Sequence, residues 1–169
     1  MCEYYLMKLI IDTRESELIK QVHKFVESNN FDVKVETSQM DLGDAVIQDK
    51  DGKDLIVFER KSLNDLCASI MDGRYKEQSF RLESHSIHNH NIYYVVEGVI
   101  ESYVPRKHNR ITRKAIYSTL VTLNYHKGFS VMRTTSLLET ARLLIYVYQK
   151  IEKENKPGYY DKEKGNAEV

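Results

Sequence analysis

Hydrophobic positions in the first half of the chain fall into two rhythms, one of period two and one of period 3.6. Residues 6–12 (LMKLIID) form a short apolar run ending in an acid, which predicts a buried strand that opens onto Thr13, Arg14 and Glu15. Across residues 17–28, Leu18, Ile19, Val22, Phe25 and Val26 recur at helical spacing; Ser16 stands where a cap is needed and Asn29-Asn30 breaks the pattern. Phe31, Val33 and Val35 then alternate with Asp32, Lys34 and Glu36, the period of a half-buried strand. Residues 43–48 and 55–58 predict two further strands. The segment Asp49-Lys50-Asp51-Gly52-Lys53-Asp54 joins them, and its Asp-Gly pair is a strong hairpin signal.

In the second half helices dominate. Ser62 and Asp65 have the spacing of a capping box, and Leu63, Leu66, Ile70 and Met71 supply an apolar face before Asp72-Gly73 ends the helix. Residues 74–88 predict a highly charged helix, and residues 91–96 (NIYYVV) a buried strand with Glu97-Gly98 as its exit turn. Two long helices follow. The first covers residues 111–126, with Ala115, Ile116, Leu120 and Leu123; after a short strand at 129–133, the second covers 136–152. That last helix is apolar almost all round: Leu137, Leu138, Ala141, Leu144, Ile145 and Tyr148 make one face, and Leu143 and Val147 lie off it. Such a helix needs cover on several sides, which raises the expectation of a subunit interface. The expected division is a folded domain over residues 1–153 and a polar, flexible tail over 154–169. The order of elements predicts an α/β domain, a mixed central sheet with helices on both faces.

Composition narrows the partners. Lysine plus arginine equal aspartate plus glutamate at 25 each, so binding to nucleic acid must come from local patches and not from a global basic field. The two cysteines, Cys2 and Cys67, have no motif spacing, which argues against a disulfide framework or a thiolate metal site and for a reducing, intracellular setting. Residues 1–12 read as neither a secretory signal nor a membrane span, and nothing separates nucleus from cytoplasm.

Candidate chemistry concentrates on the hairpin. Asp44 starts one of its strands and Glu59 ends the other, so an antiparallel return brings both acids to one end of the sheet. Side chains alternate along a strand, so Lys61 faces the same way as Glu59 while Arg60 points oppositely. Two acids and an ammonium so placed suit phosphodiester hydrolysis. Hard oxygen ligands hold Mg²⁺ or Mn²⁺, and the lysine orients the attacking water or stabilises charge on the phosphate. Asp12 and Glu15, after the first strand, point to the same sheet edge. Asp65 has two readings, as a capping-box acid or as part of the chemistry, and spacing alone does not separate them.

Beyond these residues the sequence resembles a known family. The motifs are IIDTRE (10–15), GDAVI (43–47), FERKSLNDL (58–66), SIMDGRYKEQSFRL (69–82) and YYVVEG (93–98), and the likeness continues less distinctly to about residue 150. Together they resemble the nuclease domain of the XPF and Hef family of structure-specific endonucleases, within the PD-(D/E)XK superfamily, which implies a restriction-endonuclease-like fold. The resemblance implies that Asp44 and Glu59 ligate Mg²⁺ or Mn²⁺, that Asp12 and Glu15 complete the acidic cluster, and that Lys61 is the catalytic lysine. It makes Arg60 and Asp65 the rest of the catalytic motif, and sets Arg74 and Arg81 near the site, for phosphate contact or for structural ion pairing. It further implies cutting of branched DNA such as 3′-flaps and forks, in repair, recombination or replication. Dimerisation, with an identical or a degenerate partner, would run through the last two helices. Relatives usually add a tandem helix-hairpin-helix module, and none is read within these 169 residues. Either a partner supplies junction recognition, or the enzyme is less selective for structure. A third reading is a non-catalytic DNA-binding or dimerisation subunit; degenerate partners lose the acid and lysine motif, which is intact here.

Two further clusters stand apart. Residues 105–114 (PRKHNRITRK) hold Arg106, Lys107, Arg110, Arg113 and Lys114 with no acid among them. Positive charge at a helix start opposes the helix dipole, so DNA contact is favoured over a solvated helix end. His85, His88 and His90 lie close in sequence, but without an evident fourth ligand solvated histidines at a helix end are expected and not zinc.

Overall fold

The computed structural model describes residues 7–72, 74–83, 85–107 and 110–161. Six strands form one sheet in the order β2-β1-β3-β4-β5-β6. They are β1 Lys8–Asp12, β2 Val35–Ser38, β3 Ala45–Gln48, β4 Asp54–Ser62, β5 Ile92–Glu97 and β6 Ser130–Thr134. The main helices are α1 Ser16–Ser28, α2 Leu63–Asp72, α3 Arg74–Glu83, α4 Arg113–Val121 and α5 Leu137–Glu154, so the order of elements is the expected one. β1 is parallel to β2 and antiparallel to β3, β3 and β4 form an antiparallel hairpin, and β4, β5 and β6 run parallel. The hairpin turn closes as its sequence requires. Asp49 Oδ1 accepts the N–H groups of Asp51 and Lys53, and Gly52 takes φ +79°.

Strand alternation sorts the core into two layers. On one face Leu9, Ile11, Ala45, Ile47, Phe58 and Val95 pack with Leu18 and Val22 of α1 and with Ala141, Leu144, Ile145 and Tyr148 of α5. On the other, Val46, Val57, Ile92 and Tyr94 pack with Leu82 of α3, Leu123 and Phe129. Val96 on that face meets Leu63, Leu66 and Cys67 of α2 and Ile116 of α4. Both faces are therefore covered.

The boundaries differ in four places. The alternating run from Phe31 enters the ladder only at Val35; Phe31 instead sets its ring edge-on against Phe25 at 5.4 Å, so its apolar rhythm reports packing and not pairing. α3 stops at Glu83, five residues before the expected end. His85 Nδ1 accepts the Ile87 N–H and His88 Nδ1 the His90 N–H, turning the chain through a 3₁₀ segment, Asn89–Asn91, into β5. α4 begins after Thr112, whose hydroxyl accepts the Ala115 N–H, and continues as a π-helical turn, Thr122–His126. Residues 155–161 turn back after α5: Asn155 is left-handed, the Tyr160 ring stacks on His88 at 3.7 Å, and Asn91 donates to Asp161 at 3.0 Å.

α5 finds most of its cover within its own chain. Leu143 and Val147 pack into the core layer it shares with α1, and Phe25 meets Tyr146 edge-on at 5.7 Å. The all-round apolar pattern therefore has an intramolecular cause. The longer exposed apolar row is on α4 and its π turn, where Tyr117, Val121 and Tyr125 recur every four residues and Tyr125 is 81% exposed. Among the described residues no helix is long and apolar enough to cross a membrane.

Candidate active site

Asp44 is set by its neighbour before it is set by its own side chain. Gly43 takes φ +79°, and a Cβ there would lie 2.6 Å from Val57 Cγ1 and 3.1 Å from the Phe58 carbonyl. Only glycine passes the hairpin partner this closely. Gly43→Ala is expected to destabilise the domain by about 2–4 kcal/mol, from left-handed strain plus overpacking. Chemical denaturation measures it, and an unchanged midpoint would remove the constraint from this account.

Past Gly43, Asp44 stands one step beyond the last ladder pair, Ala45 with Phe58, in the position opposite Glu59. Its N–H donates to the Phe58 carbonyl at 2.7 Å and its carbonyl accepts the Asp12 N–H at 2.8 Å. Its Oδ2 accepts the Arg60 N–H at 2.7 Å. Strand parity places Asp44, Glu59 and Lys61 on the face covered by α2 and α3. Lys61 Nζ lies 3.9 Å from Glu59 Oε1, with both side chains nearly buried. These residues line a cleft of about 480 Å³ together with Glu15, Arg14, Asp65, Gln78, Arg81 and the 39–43 loop.

Arg60 points to the other face, where Glu97 at the end of β5 takes its guanidinium in a bidentate pair at 2.6 and 2.8 Å. Its Nη1 donates to Glu15 at 3.1 Å. Glu15 thus bridges the two faces around the sheet edge, touching Arg60 on one side and Asp44 on the other. Glu97 is 5% exposed and was not among the expected site residues.

The electrostatics of this group are unbalanced. Burial, then the charge of Asp44, push Glu59 up to about 8, with Lys61 pulling back only partly. Burial is also the first cause raising Asp44, opposed by the Arg60 N–H and by Lys61. Glu15 is raised by burial and then by Asp44. Buried carboxylates short of positive charge are the donor chemistry that hard divalent cations select. Among the described residues no group of three or more His, Cys, Asp or Glu side chains is already set to hold a metal ion.

Asp12, expected in the acidic cluster, does not line the cleft. Its Oδ1 accepts the N–H and Nε of Arg14 and its Oδ2 accepts Arg14 Nη2 and the Met40 N–H, at 2.8 to 3.0 Å. The Arg14 guanidinium beside it, outweighing burial, lowers its pKa to about 2. Asp12 is linked to the cleft by its backbone bond to Asp44 and by Arg14, a cleft residue with no role assigned from the sequence. Asp65 donates its N–H to Ser62 Oγ at 3.1 Å, so Ser62 caps α2, while Asp65 is exposed at the cleft wall.

The remaining candidates divide. Arg81 lines the cleft and donates to the Asp41 carbonyl at 3.3 Å, whereas Arg74 is exposed at the start of α3. Arg106, Lys107, Arg110, Arg113 and Lys114 are all exposed and outside the cleft. Their segment follows the C-terminal end of β5, and Ile111 within it joins the apolar cluster that holds Leu66 and Cys67 of α2. Of the three histidines, His85 pairs with Asp54 at 3.2 Å, while His88 and His90 both meet the Tyr160 ring, at 3.7 and 5.0 Å. Cys2 lies outside the described residues.

"Crossover junction endonuclease MUS81" of Oryza sativa subsp. japonica is 32% identical over 153 residues, 83% of this chain and 21% of that protein. "Probable crossover junction endonuclease mus81" of Dictyostelium discoideum is 28% identical over 158 residues, 83% of this chain and 17% of that protein. The chain thus spans about a fifth of the length of these relatives. Among solved structures, XPF from Aeropyrum pernix superposes with a TM-score of 0.65 at 26% identity, over 88% of this chain and 68% of that one. The same protein in complex with DNA gives 0.66 at 24% identity, over 92% and 70%. The shared mixed sheet is restriction-endonuclease-like. Residues 11–147, from β1 into α5 and including Asp12, Asp44, Glu59 and Lys61, match the ERCC4 domain, and the chain belongs to that family of XPF and MUS81 nuclease domains.

Proposed function

We propose that this chain is the catalytic domain of a divalent-metal-dependent DNA endonuclease acting at branched DNA such as 3′-flaps and forks. One observation carries the reading: Asp44 and Glu59 face each other across the hairpin end at the floor of a cleft, with Lys61 beside Glu59. Mg²⁺ or Mn²⁺, when bound, would supply Lewis acidity toward the scissile phosphate and lower the pKa of water there. Asp44 and Glu59 would hold it from opposing strands, with Glu15 as a third oxygen donor. Lys61 stands to orient the attacking water and to stabilise negative charge as the phosphorus–oxygen bond breaks. Arg14 and Arg81 on the cleft walls suit the flanking phosphates. The basic residues between β5 and α4 would take the duplex outside the cleft and deepen the salt dependence of binding.

The names of the relatives support branched DNA as substrate. Cleavage of end-labelled 3′-flap, fork, linear duplex and single-stranded DNA with Mg²⁺ tests it. Flap or fork should be cut at least about tenfold faster than linear duplex. Equal cutting of all four would favour a less selective nuclease, and no cutting by folded protein would favour a non-catalytic subunit.

Dimerisation belongs to the same proposal, through the last two helices, where α4 and its π turn expose Tyr117, Val121 and Tyr125 and α5 exposes Leu138 and Tyr146. Val121→Glu with Tyr125→Glu is expected to convert a dimer to a monomer in sedimentation velocity. An unchanged dimer would move the interface elsewhere.

A further inference from the structure

Glu97 does not line the cleft, yet it holds a residue that bonds to the acids there. It ends β5 and is fixed on both sides by the ladder, opposite Ser62 of β4 and Thr134 of β6. Its side chain is 6% exposed, and among the described residues its ion pair is with Arg60 alone. The contact takes up Nε and Nη2 of the guanidinium, at 2.6 and 2.8 Å. A two-point carboxylate–guanidinium pair fixes the direction of the fork as well as its charge.

Arg60 belongs to both faces of the sheet. Its backbone N–H donates to Asp44 Oδ2 at 2.7 Å on the cleft side, and its Nη1 donates to Glu15 Oε2 at 3.1 Å at the sheet edge. The charge of the guanidinium is felt at Glu97, Glu15 and Asp44 together. With the Arg60 side chain only 22% exposed, water screens that competition weakly. Where the charge sits therefore decides what the acids can bind. A guanidinium turned onto Glu15 and Asp44 would be their counter-ion, and a divalent cation would have to displace it. Held by Glu97 on the opposite face, it leaves them short of positive charge.

We propose that Glu97 is a positioning residue for the cation site: by engaging Arg60 it keeps the guanidinium off Asp44 and Glu15 and leaves those acids open to a divalent cation. This deepens the nuclease reading and rests on its cation site. Glu97 touches neither cation nor DNA; it acts through Arg60, as the outer partners of metal ligands do.

Mn²⁺ tests this without DNA, because the free ion loses its electron paramagnetic resonance signal on binding. Glu97→Gln is expected to bind Mn²⁺ about tenfold more weakly than the wild type, the scale of an outer-partner defect. The effect should vanish once the guanidinium is gone, so Arg60→Met and the double variant Arg60→Met/Glu97→Met should agree within about twofold. The double variant replaces the ion pair with apolar side chains of similar volume, and it should fold and bind Mn²⁺ at least as tightly as the wild type even if the single variants do not fold. On flap DNA, the Mg²⁺ concentration for half-maximal cutting by Glu97→Gln should rise about tenfold, with a much smaller fall in the maximal rate. Loss of folded protein alone would do the reverse. Equal Mn²⁺ affinity in the wild type and folded Glu97→Gln, or a double variant that binds more weakly than Arg60→Met or the wild type, would overturn the proposal. A wild type that binds no Mn²⁺ removes the cation site and this inference with it. A wild type that shows the predicted Mn²⁺ ranking but cuts no DNA sinks the nuclease activity alone and leaves the role of Glu97 standing.

Discussion

Glu59→Gln is expected to slow DNA cutting by at least about a hundredfold and, at the same time, to raise the melting temperature of the metal-free domain. Both effects follow from one feature. Glu59 is held up to about 8 from an ordinary 4.5, first by burial and then by Asp44. A carboxyl group raised in the folded state binds its proton more tightly there than in the unfolded chain. Stability therefore falls as pH rises from about 4.5 to about 8, and the full cost stands above that. Removing the charge should return on the order of 2–4 kcal/mol near pH 8, several degrees in melting temperature. Mg²⁺ should raise the melting temperature of the wild type and leave the variant nearly unmoved. The apparent affinity for Mg²⁺ should strengthen as pH rises through about 8, because proton and cation compete for the same oxygens. Melting curves against pH and Mg²⁺ read all of this, and a variant less stable than the wild type at pH 8 would contradict it.

The second large effect separates two neighbours in the motif. Arg60→Ala strips the counter-charge from Glu97, whose side chain is 6% exposed, and from Glu15, and should cost about 3–5 kcal/mol. Lys61→Ala removes an ammonium whose ion pair with Glu59 spans 3.9 Å, and should cost less stability than Arg60→Ala while slowing cutting by about 10²–10⁴-fold. Arg60 is thus cast as the strut and Lys61 as the reagent. Denaturant midpoints measured beside single-turnover rates decide it; equal loss of stability in both variants would erase the distinction.

Much of this was legible along the chain, for identifiable reasons. The Asp51-Gly52 turn pairs β3 with β4, and period-two alternation then puts Asp44, Glu59 and Lys61 on one face and Arg60 on the other without knowledge of the rest of the fold. What stayed hidden depends on partners distant in sequence. Glu97 reads as the end of a strand because its role needs the parallel register of β4 with β5, which pairs Arg60 with Val95 and so sets Glu97 diagonally across from the guanidinium. Asp12 looks like a ligand in sequence, and only the folded turn shows four donors from Arg14 and Met40 closing on it. The apolar breadth of α5 is legible in sequence, but that α1 packs along it shows only in the fold. Arg106, Lys107, Arg110, Arg113 and Lys114 announce their charge in sequence, but the burial of nearby Tyr103 and Ile111 in one cluster with Leu66 and Cys67 shows only in the fold.

We propose that Asp44 and Glu59 form the cation site at which DNA is cut. The most direct test is the rate of 3′-flap cutting as a function of Mg²⁺ for the wild type and Glu59→Gln. Saturable activation of the wild type, silence in EDTA and near-complete loss in the variant are the predicted result. Cutting that survives EDTA, or a Glu59→Gln variant that cuts like the wild type, would contradict the account.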